Sequence, residues 1–274
     1  MPPSRFIVIS DLDGTLLDHE TYSFDPARPA LARLRQGDVP LVLCTSKTRA
    51  EVESIRVSLE NNHPFIVENG GAVVIPRDYF SFDLDVDRLE QRGDMLVIPI
   101  GDPYHELVGA LARASAESGT AVRGFSTMTD RDVAEATGLS LVDARLARER
   151  EFDEPFEILD PAGTDVLLDA ISRGGKRWTA GGRFHHITGA NDKAAAVRIV
   201  MDLYRQESGA VKSVGLGDAL NDVSFLREVD APIVIASPKA SDVANLLARA
   251  RITGSPGPQG WNEAVLETLN ARGA

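Results

Sequence analysis

An apolar run that ends in two acidic residues constrains this chain more than any other feature. Residues Phe6 to Ile9 are all apolar, and Asp11, Asp13 and Gly14 follow them. A short apolar run that ends at a turn signal is typical of a buried strand in a parallel sheet. In open α/β sheets, ligands bind beyond the carboxyl ends of the strands, where both carboxylates would emerge. The pattern predicts a polar site at the edge of a sheet, although two acidic residues after a strand are also common in simple turns.

Composition narrows the class of protein and the class of partner. The chain has 274 residues and one cysteine, Cys44, which excludes an internal disulfide and a multi-cysteine metal site. A net charge of −12 argues against nucleic acid, because a protein that binds phosphate backbones needs a basic face. No apolar run is long enough to cross a bilayer, and we expect no signal peptide, because Met1 to Arg5 leaves no room for a charged region followed by a separate apolar one. We therefore expect a cytoplasmic protein with a small-molecule partner, no nucleic acid and no membrane, as a monomer or a homodimer.

Strand and helix signals alternate at both ends of the chain and change their order in the middle. Near the N-terminus the order is strand, helix, strand, helix, strand, and a similar order returns after residue 188. This alternation indicates an α/β fold with a doubly wound, mostly parallel, Rossmann-like sheet. The middle segment, with a strand at Met95 to Pro99 and a hairpin signal near its end, is interpreted as an inserted α+β cap domain. The predicted core comprises residues 1–82 and 189–274, and the predicted insert comprises residues 83–188.

The C-terminal part of the core carries weaker signals. Ala231 to Ile235 is predicted as the last strand, near an edge of the sheet because it contains a proline. Gly254 to Gly260 is interpreted as a loose linker, and Trp261 to Arg272 as the closing helix.

Polar residues follow several strands of the predicted core, and phosphoryl transfer needs this kind of set. One carboxylate can attack phosphorus to form an aspartyl-phosphate, and others can hold Mg²⁺, a hard cation that takes oxygen ligands. A hydroxyl and a lysine can offset the charge on the transferring oxygens. Because the field of the net charge opposes the approach of an anionic substrate, local cations must dominate at close range, inside a Debye length of about 8 Å. The residues in question are Asp11, Asp13, Thr45, Ser46, Lys193, Asp218, Asn221 and Asp222.

Four motifs carry a resemblance to a known superfamily. They are Asp11-Leu12-Asp13-Gly14-Thr15, Thr45 after a strand, Lys193, and Gly217-Asp218-x-x-Asn221-Asp222. In order and spacing they resemble the haloacid dehalogenase superfamily of phosphohydrolases, and the insert resembles the cap of its Cof-like, C2-capped branch. Longer stretches resemble mannosyl-3-phosphoglycerate phosphatases, which release phosphate to leave mannosylglycerate, a compatible solute. These stretches are Leu17 to Ser23, Thr45 to Arg49, Glu68 to Ala72, Glu151 to Phe156, Gly182 to Phe184, and Gly260 to Val265.

The resemblance implies a role for each matching residue. Asp11 would be the nucleophile, and Asp13 would protonate the leaving oxygen and then take a proton from the attacking water. Thr45 and Lys193 would hold the phosphoryl oxygens. The metal positions implied are Asp11, Asp13 through its main-chain carbonyl, Asp218 and Asp222. The substrate-binding positions implied are Gly14, Ser46, Lys47, Glu154, Arg183 and Asn221.

The resemblance therefore implies a Mg²⁺-dependent phosphatase that acts on a phosphorylated glycoside, mannosyl- or glucosyl-3-phosphoglycerate, through an aspartyl-phosphate. The preferred sugar stays open. The alternatives are a broader sugar phosphatase, a phosphotransferase of phosphomannomutase type and a non-catalytic sugar-phosphate sensor. Ser46 and Lys47 also fit a serine nucleophile with a lysine base, although substrate contact is the favoured interpretation. His185 and His186 are adjacent on a predicted strand, so they face opposite sides and do not form a metal-binding pair.

Overall fold

Two β-sheets with flanking helices form the fold in the computed structural model, which describes residues 5–181 and 184–273. The predicted ligand Arg183 lies outside the described residues. The strands, in chain order, are β1 (Arg5–Ser10), β2 (Leu41–Cys44), β3 (Phe65–Val67), β4 (Ala72–Pro76), β5 (Glu90–Arg92), β6 (Met95–Pro99), β7 (Val122–Gly124), β8 (Asp153–Ile158), β9 (Arg177–Gly181), β10 (Phe184–Thr188), β11 (Val211–Gly217), β12 (Ala231–Ala236) and β13 (Arg251–Pro256). The helices are α1 (Arg28–Gln36), α2 (Arg49–Leu59), α3 (Tyr104–Ser118), α4 (Asp130–Thr137), α5 (Leu141–Ala147), α6 (Thr164–Arg173), α7 (Lys193–Ser208), α8 (Val223–Leu226), α9 (Ala240–Asn245) and α10 (Gly257–Ala271).

The larger sheet is mostly parallel, as predicted. Its strand order is β13-β12-β11-β1-β2-β3-β4-β6-β5, and the neighbours from β13 to β3 pair in parallel. The central strand β1 is apolar because it is buried on both faces: Val8 packs into one core cluster, and Ile7 and Ile9 into another. Residues of α1, α2 and α10 join the first cluster, and residues of α7, α8 and α9 join the second. This arrangement confirms the predicted doubly wound α/β fold.

Local capping signals determine where two helices start. Thr48 Oγ1 accepts a hydrogen bond from the Glu51 backbone N–H, and Glu51 Oε2 accepts one from the Thr48 N–H, at 3.1 and 2.8 Å. Asp192 Oδ1 accepts a hydrogen bond from the Ala195 N–H at 2.8 Å and starts α7 at Lys193. The first cap starts α2 shortly after β2 ends, and the second starts α7 at Lys193, which bonds Asp11 at the end of β1.

The smaller sheet belongs to the predicted insert. Its order is β7-β8-β10-β9, its pairs are antiparallel, and α3 and α6 pack on it around a separate apolar cluster. The strand β6, however, was placed in the insert by the sequence prediction and instead pairs antiparallel with β4 in the larger sheet. Its apolar residues Val97 and Ile98 are buried in the core clusters of that sheet, which explains this pairing. The division into two domains stays a prediction, and β6 would move its first boundary from residue 83 to beyond Pro99.

The C-terminal prediction was partly wrong. The strand β12 is not the last one, because β13 pairs with it in parallel and occupies the edge. Residues 254–256 of the predicted linker belong to β13, and residues 257–260 begin α10, whose first turn tolerates Pro258. None of the helices formed by residues 5–181 and 184–273 is both long and apolar enough to span a bilayer.

Candidate active site

Three carboxylates meet where two neighbouring parallel strands end. Asp11 follows β1, Asp218 follows β11, and Asp222 lies in the short 3-10 turn just beyond β11. One oxygen from each of these side chains lies within 4.8 Å of the other two. The carboxyl ends of β1 and β11 coincide because the strands pair in parallel, with Ser10 opposite Leu216. The sheet thus gathers acidic residues that are more than two hundred positions apart in the chain.

A buried lysine bonds two of these carboxylates. The Lys193 ammonium donates to Asp11 Oδ1 and to Asp222 Oδ1, both at 2.7 Å, and its side chain is 1% exposed. Burial alone would lower the pKa of Lys193, but the two carboxylates raise that pKa above its ordinary value. Lys193 is therefore a fixed positive charge beside Asp11.

Asp222 is held by the protein on both of its oxygens. Its Oδ2 accepts hydrogen bonds from the backbone N–H groups of Asp218 and Ala219, at 3.0 and 3.1 Å, while its Oδ1 accepts from Lys193. Gly217 makes room for this carboxylate, because a Cβ at that position would lie 2.7 Å from Asp222 Cβ. These contacts suit a residue that orients Lys193 and the Asp218 backbone.

The carboxylates of the site carry more negative charge than Lys193 offsets, which favours a bound cation. Burial and the neighbouring Asp222 raise the pKa of Asp11 well above its ordinary value and raise that of Asp218 to about 6. Among the described residues, Asp13 Oδ1 is buried with no hydrogen-bond partner. Buried anions without enough counter-charge are costly, and carboxylate oxygens are the ligands that hard divalent cations prefer. The donor set therefore fits Mg²⁺.

The backbone between Asp13 and Thr15 approaches Asp218 closely. Gly14 has a φ of +74°, and a Cβ there would lie 2.8 Å from Asp218 Oδ2. The Thr15 hydroxyl donates to Asp218 Oδ1 at 3.3 Å. Glycine adopts this left-handed conformation without steric strain, and its lack of a Cβ lets the backbone approach the Asp218 carboxylate. The structure thus gives Gly14 a steric role beside the acidic cluster.

Residues 45–47, in the loop that joins β2 to α2, contact Asp13 through Lys47. Thr45 is buried, and its hydroxyl accepts the Lys47 backbone N–H at 3.2 Å. The Lys47 ammonium lies 3.1 Å from Asp13 Oδ2 and 3.6 Å from a Glu51 carboxylate oxygen. Burial opposes the charge, but these two carboxylates raise the pKa of Lys47 above its ordinary value. Lys47, a predicted substrate ligand, is thus paired with Asp13.

Two other predicted ligands already bond neighbouring side chains. Glu154 in β8 is fully buried, and its Oε1 accepts the Ser126 backbone N–H and hydroxyl at 3.0 and 2.6 Å. Its Oε2 accepts the Tyr104 hydroxyl at 2.6 Å. Asn221 donates weakly to Asn69 Oδ1 at 3.5 Å. Glu154 is therefore placed to shape the insert, and a direct contact with substrate stays a prediction.

A buried network next to the site was missed by the sequence analysis. Asp153 is fully buried, and its carboxylate accepts hydrogen bonds from Asn69 Nδ2 and pairs with His186 Nδ1, both at 2.8 Å. Burial raises the pKa of Asp153, but His186, Arg150 and Asn69 together lower that pKa below its ordinary value. The stretches around Asn69 and Asp153 were noticed only as part of the family resemblance. His185 instead contacts the ring of Phe156, on the opposite side of β10.

Comparisons with known proteins relate the chain to one group of hydrolases. A family model described as haloacid dehalogenase-like hydrolase matches residues 8–91. A glucosyl-3-phosphoglycerate/mannosyl-3-phosphoglycerate phosphatase of Methanococcoides burtonii is 41% identical over 268 residues, 97% of either chain. A mannosyl-3-phosphoglycerate phosphatase of Pyrococcus horikoshii is 32% identical over 241 residues, 88% of this chain and 94% of the relative. A solved phosphatase of the haloalkanoate (HAD) superfamily from Bacteroides thetaiotaomicron has a TM-score of 0.67 at 18% identity and supports the fold alone; the match covers 98% of this chain and 96% of that one.

Proposed function

Because the chain belongs to the haloacid dehalogenase-like hydrolases, we propose that it is a Mg²⁺-dependent phosphatase that hydrolyses glucosyl- and mannosyl-3-phosphoglycerate. One observation carries the reaction: Asp11 is buried at a strand end, bonded to Lys193 at 2.7 Å and clustered with Asp218. The names of the relatives from M. burtonii and P. horikoshii support the substrates. Both names include the mannosyl compound, and the name of the more similar relative adds the glucosyl compound.

The nucleophile of the proposed reaction is the Asp11 carboxylate. Its oxygen attacks phosphorus, the bond from phosphorus to the glycerate oxygen breaks, and an aspartyl-phosphate forms. Water then attacks this phosphorus, which releases phosphate and restores the carboxylate. Lys193 stabilises the negative charge near Asp11 in both steps, since it is buried and held at a fixed distance. The buried Thr45 lies on the neighbouring loop and would donate its hydroxyl to a phosphoryl oxygen.

Asp13 is the proposed proton carrier. It gives a proton to the departing glycerate oxygen and then accepts one from the attacking water. Its Oδ2 lies 3.1 Å from the Lys47 ammonium, which restricts where the carboxylate points. Lys47 thus positions Asp13, and this role explains its place in the motif without a direct contact with substrate.

The proposed magnesium site uses Asp11, Asp218 and the main-chain carbonyl of Asp13. When bound, Mg²⁺ offsets the charge on the transferring phosphoryl oxygens. Asp222 has both oxygens engaged by Lys193 and by backbone N–H groups, so we assign it to orienting these groups. The clustering of the Asp11 and Asp218 carboxylates, together with the raised pKa of both groups, favours a cation at the site.

Phosphate release tests the proposal most simply. Purified protein with Mg²⁺ is assayed side by side on the two glycosyl-3-phosphoglycerates, glucose 6-phosphate and mannose 1-phosphate. We expect rapid release from the first two and slow release from the hexose phosphates, with no activity in EDTA. Comparable turnover of the hexose phosphates would support a broader sugar phosphatase instead. An absence of release from both glycosyl compounds would refute the proposed substrates.

A further inference from the structure

The turn Glu68–Gly70 between β3 and β4 has an unusual backbone. Its three residues have φ angles of +48°, +56° and +87° in succession. Glutamate and asparagine rarely adopt this left-handed region, and a residue held there costs on the order of 1–3 kcal/mol. Such a conformation persists only where the surrounding contacts require it. The contacts of this turn therefore indicate what it does.

The backbone of the turn bonds the loop of residues 45–47. The Glu68 N–H donates to the Lys47 carbonyl and the Asn69 N–H donates to the Thr45 carbonyl, both at 3.0 Å. Gly70 abuts the start of α7, because a Cβ there would lie 2.1 Å from the Asp192 carbonyl oxygen. The turn thus contacts two of the elements that carry the active site.

The side chains of the turn hold the insert. The fully buried Glu68 carboxylate accepts hydrogen bonds from the backbone N–H groups of Glu151 and Phe152, at 3.0 and 2.8 Å. Asn69 Nδ2 donates to Asp153 Oδ2 at 2.8 Å. All three partners lie in one segment of the insert, Arg150–Asp153, which we call the docking segment. Side-chain and backbone contacts of one turn thus join the insert to the loop of residues 45–47.

Other contacts dock the same segment without passing through the turn. Arg150 donates to the Ser46 carbonyl at 2.8 Å. The Glu151 carboxylate pairs with Arg49 at 3.0 Å and also with Arg92. Docking itself therefore has several supports, whereas the connection to the Lys47 backbone runs through Glu68.

We propose that Glu68 is a positioning residue that couples docking of the segment Arg150–Asp153 to the placement of Lys47 and, through Lys47, of Asp13. The inference rests on the proposed phosphatase function, because it assigns Asp13 to proton transfer. Lys47 is bonded through its carbonyl to Glu68 and through its ammonium to Asp13, at 3.0 and 3.1 Å. Glu68 bonds the Lys47 carbonyl through its backbone N–H and the insert through its carboxylate, so a docked insert helps to hold the proton carrier in place.

The leaving group of the substrate separates this role from a purely structural one. An alkoxide needs a proton as it departs, so hydrolysis of an alkyl phosphate depends on the position of Asp13. p-Nitrophenolate departs without protonation. Hydrolysis of the aspartyl-phosphate also uses Asp13 but is common to both substrates and does not enter kcat/KM. A misplaced Asp13 therefore lowers kcat/KM selectively for alkyl phosphates, whereas general loss of folded protein lowers it equally for both substrate types.

The test variant is Glu68→Gln, which keeps the shape of the side chain and turns an NH₂ group toward the backbone N–H groups. We expect kcat/KM for mannosyl-3-phosphoglycerate to fall on the order of tenfold, and that for p-nitrophenyl phosphate by less than about threefold. The matched control is Glu151→Gln, which removes the ion pairs with Arg49 and Arg92 but keeps the N–H that Glu68 binds. We expect this control to preserve the ratio of the two activities.

Equal losses on both substrates in Glu68→Gln would overturn the proposal, and so would the same selective loss in Glu151→Gln. If Glu68→Gln does not fold, Glu68→Gly replaces it, since glycine accepts a φ of +48°. Hydrogen exchange at Glu151 and Phe152 provides an independent readout, and it should accelerate in the Glu68 variant. If the wild type hydrolyses hexose phosphates but neither glycosyl compound, the substrate proposal fails, while the ratio measured with hexose phosphate still decides the role of Glu68.

Discussion

Replacing Lys193 with methionine removes the positive charge that bonds both Asp11 and Asp222. The three side chains are 1%, 9% and 0% exposed, so the carboxylates would stay buried with their ammonium partner gone. Removal of one partner from a buried ion pair costs about 3–5 kcal/mol. For a chain of this size, each kcal/mol lowers the melting temperature by roughly 2–4 °C. We therefore expect the metal-free variant to melt roughly 6–20 °C below the wild type.

Magnesium should reverse part of this loss. The variant has more uncompensated negative charge at the cluster, so Mg²⁺ binds it at least as well as it binds the wild type. A ligand at a hundred times its Kd stabilises the folded state by about 2.7 kcal/mol. Mg²⁺ should thus raise the melting temperature of Lys193→Met more than that of the wild type. Phosphate release should stay low even with Mg²⁺, on the order of 10²–10³-fold below the wild type, because a charge beside the transferring oxygens is lost.

Thermal unfolding with EDTA and with Mg²⁺, followed by a phosphate-release assay, measures all of these effects. The matched control is Lys176→Met, which removes a more exposed ion pair with Asp102 at 2.6 Å in the insert. Such pairs contribute about 1 kcal/mol or less, so the control should melt within a few degrees of the wild type. Equal melting of Lys193→Met and Lys176→Met in EDTA would refute the reasoning about the buried cluster.

Three further outcomes follow from single contacts. In Gly14→Ala, a Cβ 2.8 Å from Asp218 Oδ2 should displace that carboxylate, so the Mg²⁺ titration of activity should shift to higher concentration; an unchanged titration would contradict this. Without metal, in EDTA, the pKa of Asp218 in the folded state is about 6, above its ordinary value of 3.8. Protonated Asp218 therefore stabilises the folded protein; this contribution is fully present below about pH 4 and is lost as the pH rises through 6. The unfolding free energy of the wild type minus that of Asp218→Asn should therefore decrease as the pH rises over that range. A difference that does not change with pH would argue against the raised pKa. In Glu154→Gln, an amide replaces an acceptor of Ser126 or Tyr104, and chemical denaturation should show a loss of about 1–3 kcal/mol; unchanged stability would contradict the role assigned to these bonds.

Features that depend on adjacent residues could be predicted from the sequence. The apolar run that becomes β1 and the capping box of Thr48 with Glu51 both need only a few neighbouring side chains. The meeting of Asp11 with Asp218 was also predictable, because the carboxyl ends of parallel strands lie along one edge of the sheet. Residues that follow strands could therefore be grouped into one site before any contact was known.

Features that depend on distant partners could not be predicted. The sequence alone does not show that β6 pairs with β4, because an apolar strand is equally compatible with either sheet. The bonds of Glu68 to Glu151 and Phe152 join residues 83 and 84 positions apart, and no local pattern reports them. The same is true of the pairing of Lys47 with Asp13, on which the proposed role of Lys47 in positioning Asp13 rests.

The central claim is that Asp11 carries the phosphoryl group during turnover. A rapid acid quench during hydrolysis of mannosyl-3-phosphoglycerate, followed by mass spectrometry of the peptides, tests this directly. We expect a covalent phosphate on Asp11 in the wild type, and neither this phosphate nor any turnover in folded Asp11→Asn. A wild type that turns over with phosphate on another residue, or an Asp11→Asn variant that retains substantial turnover, would contradict the claim.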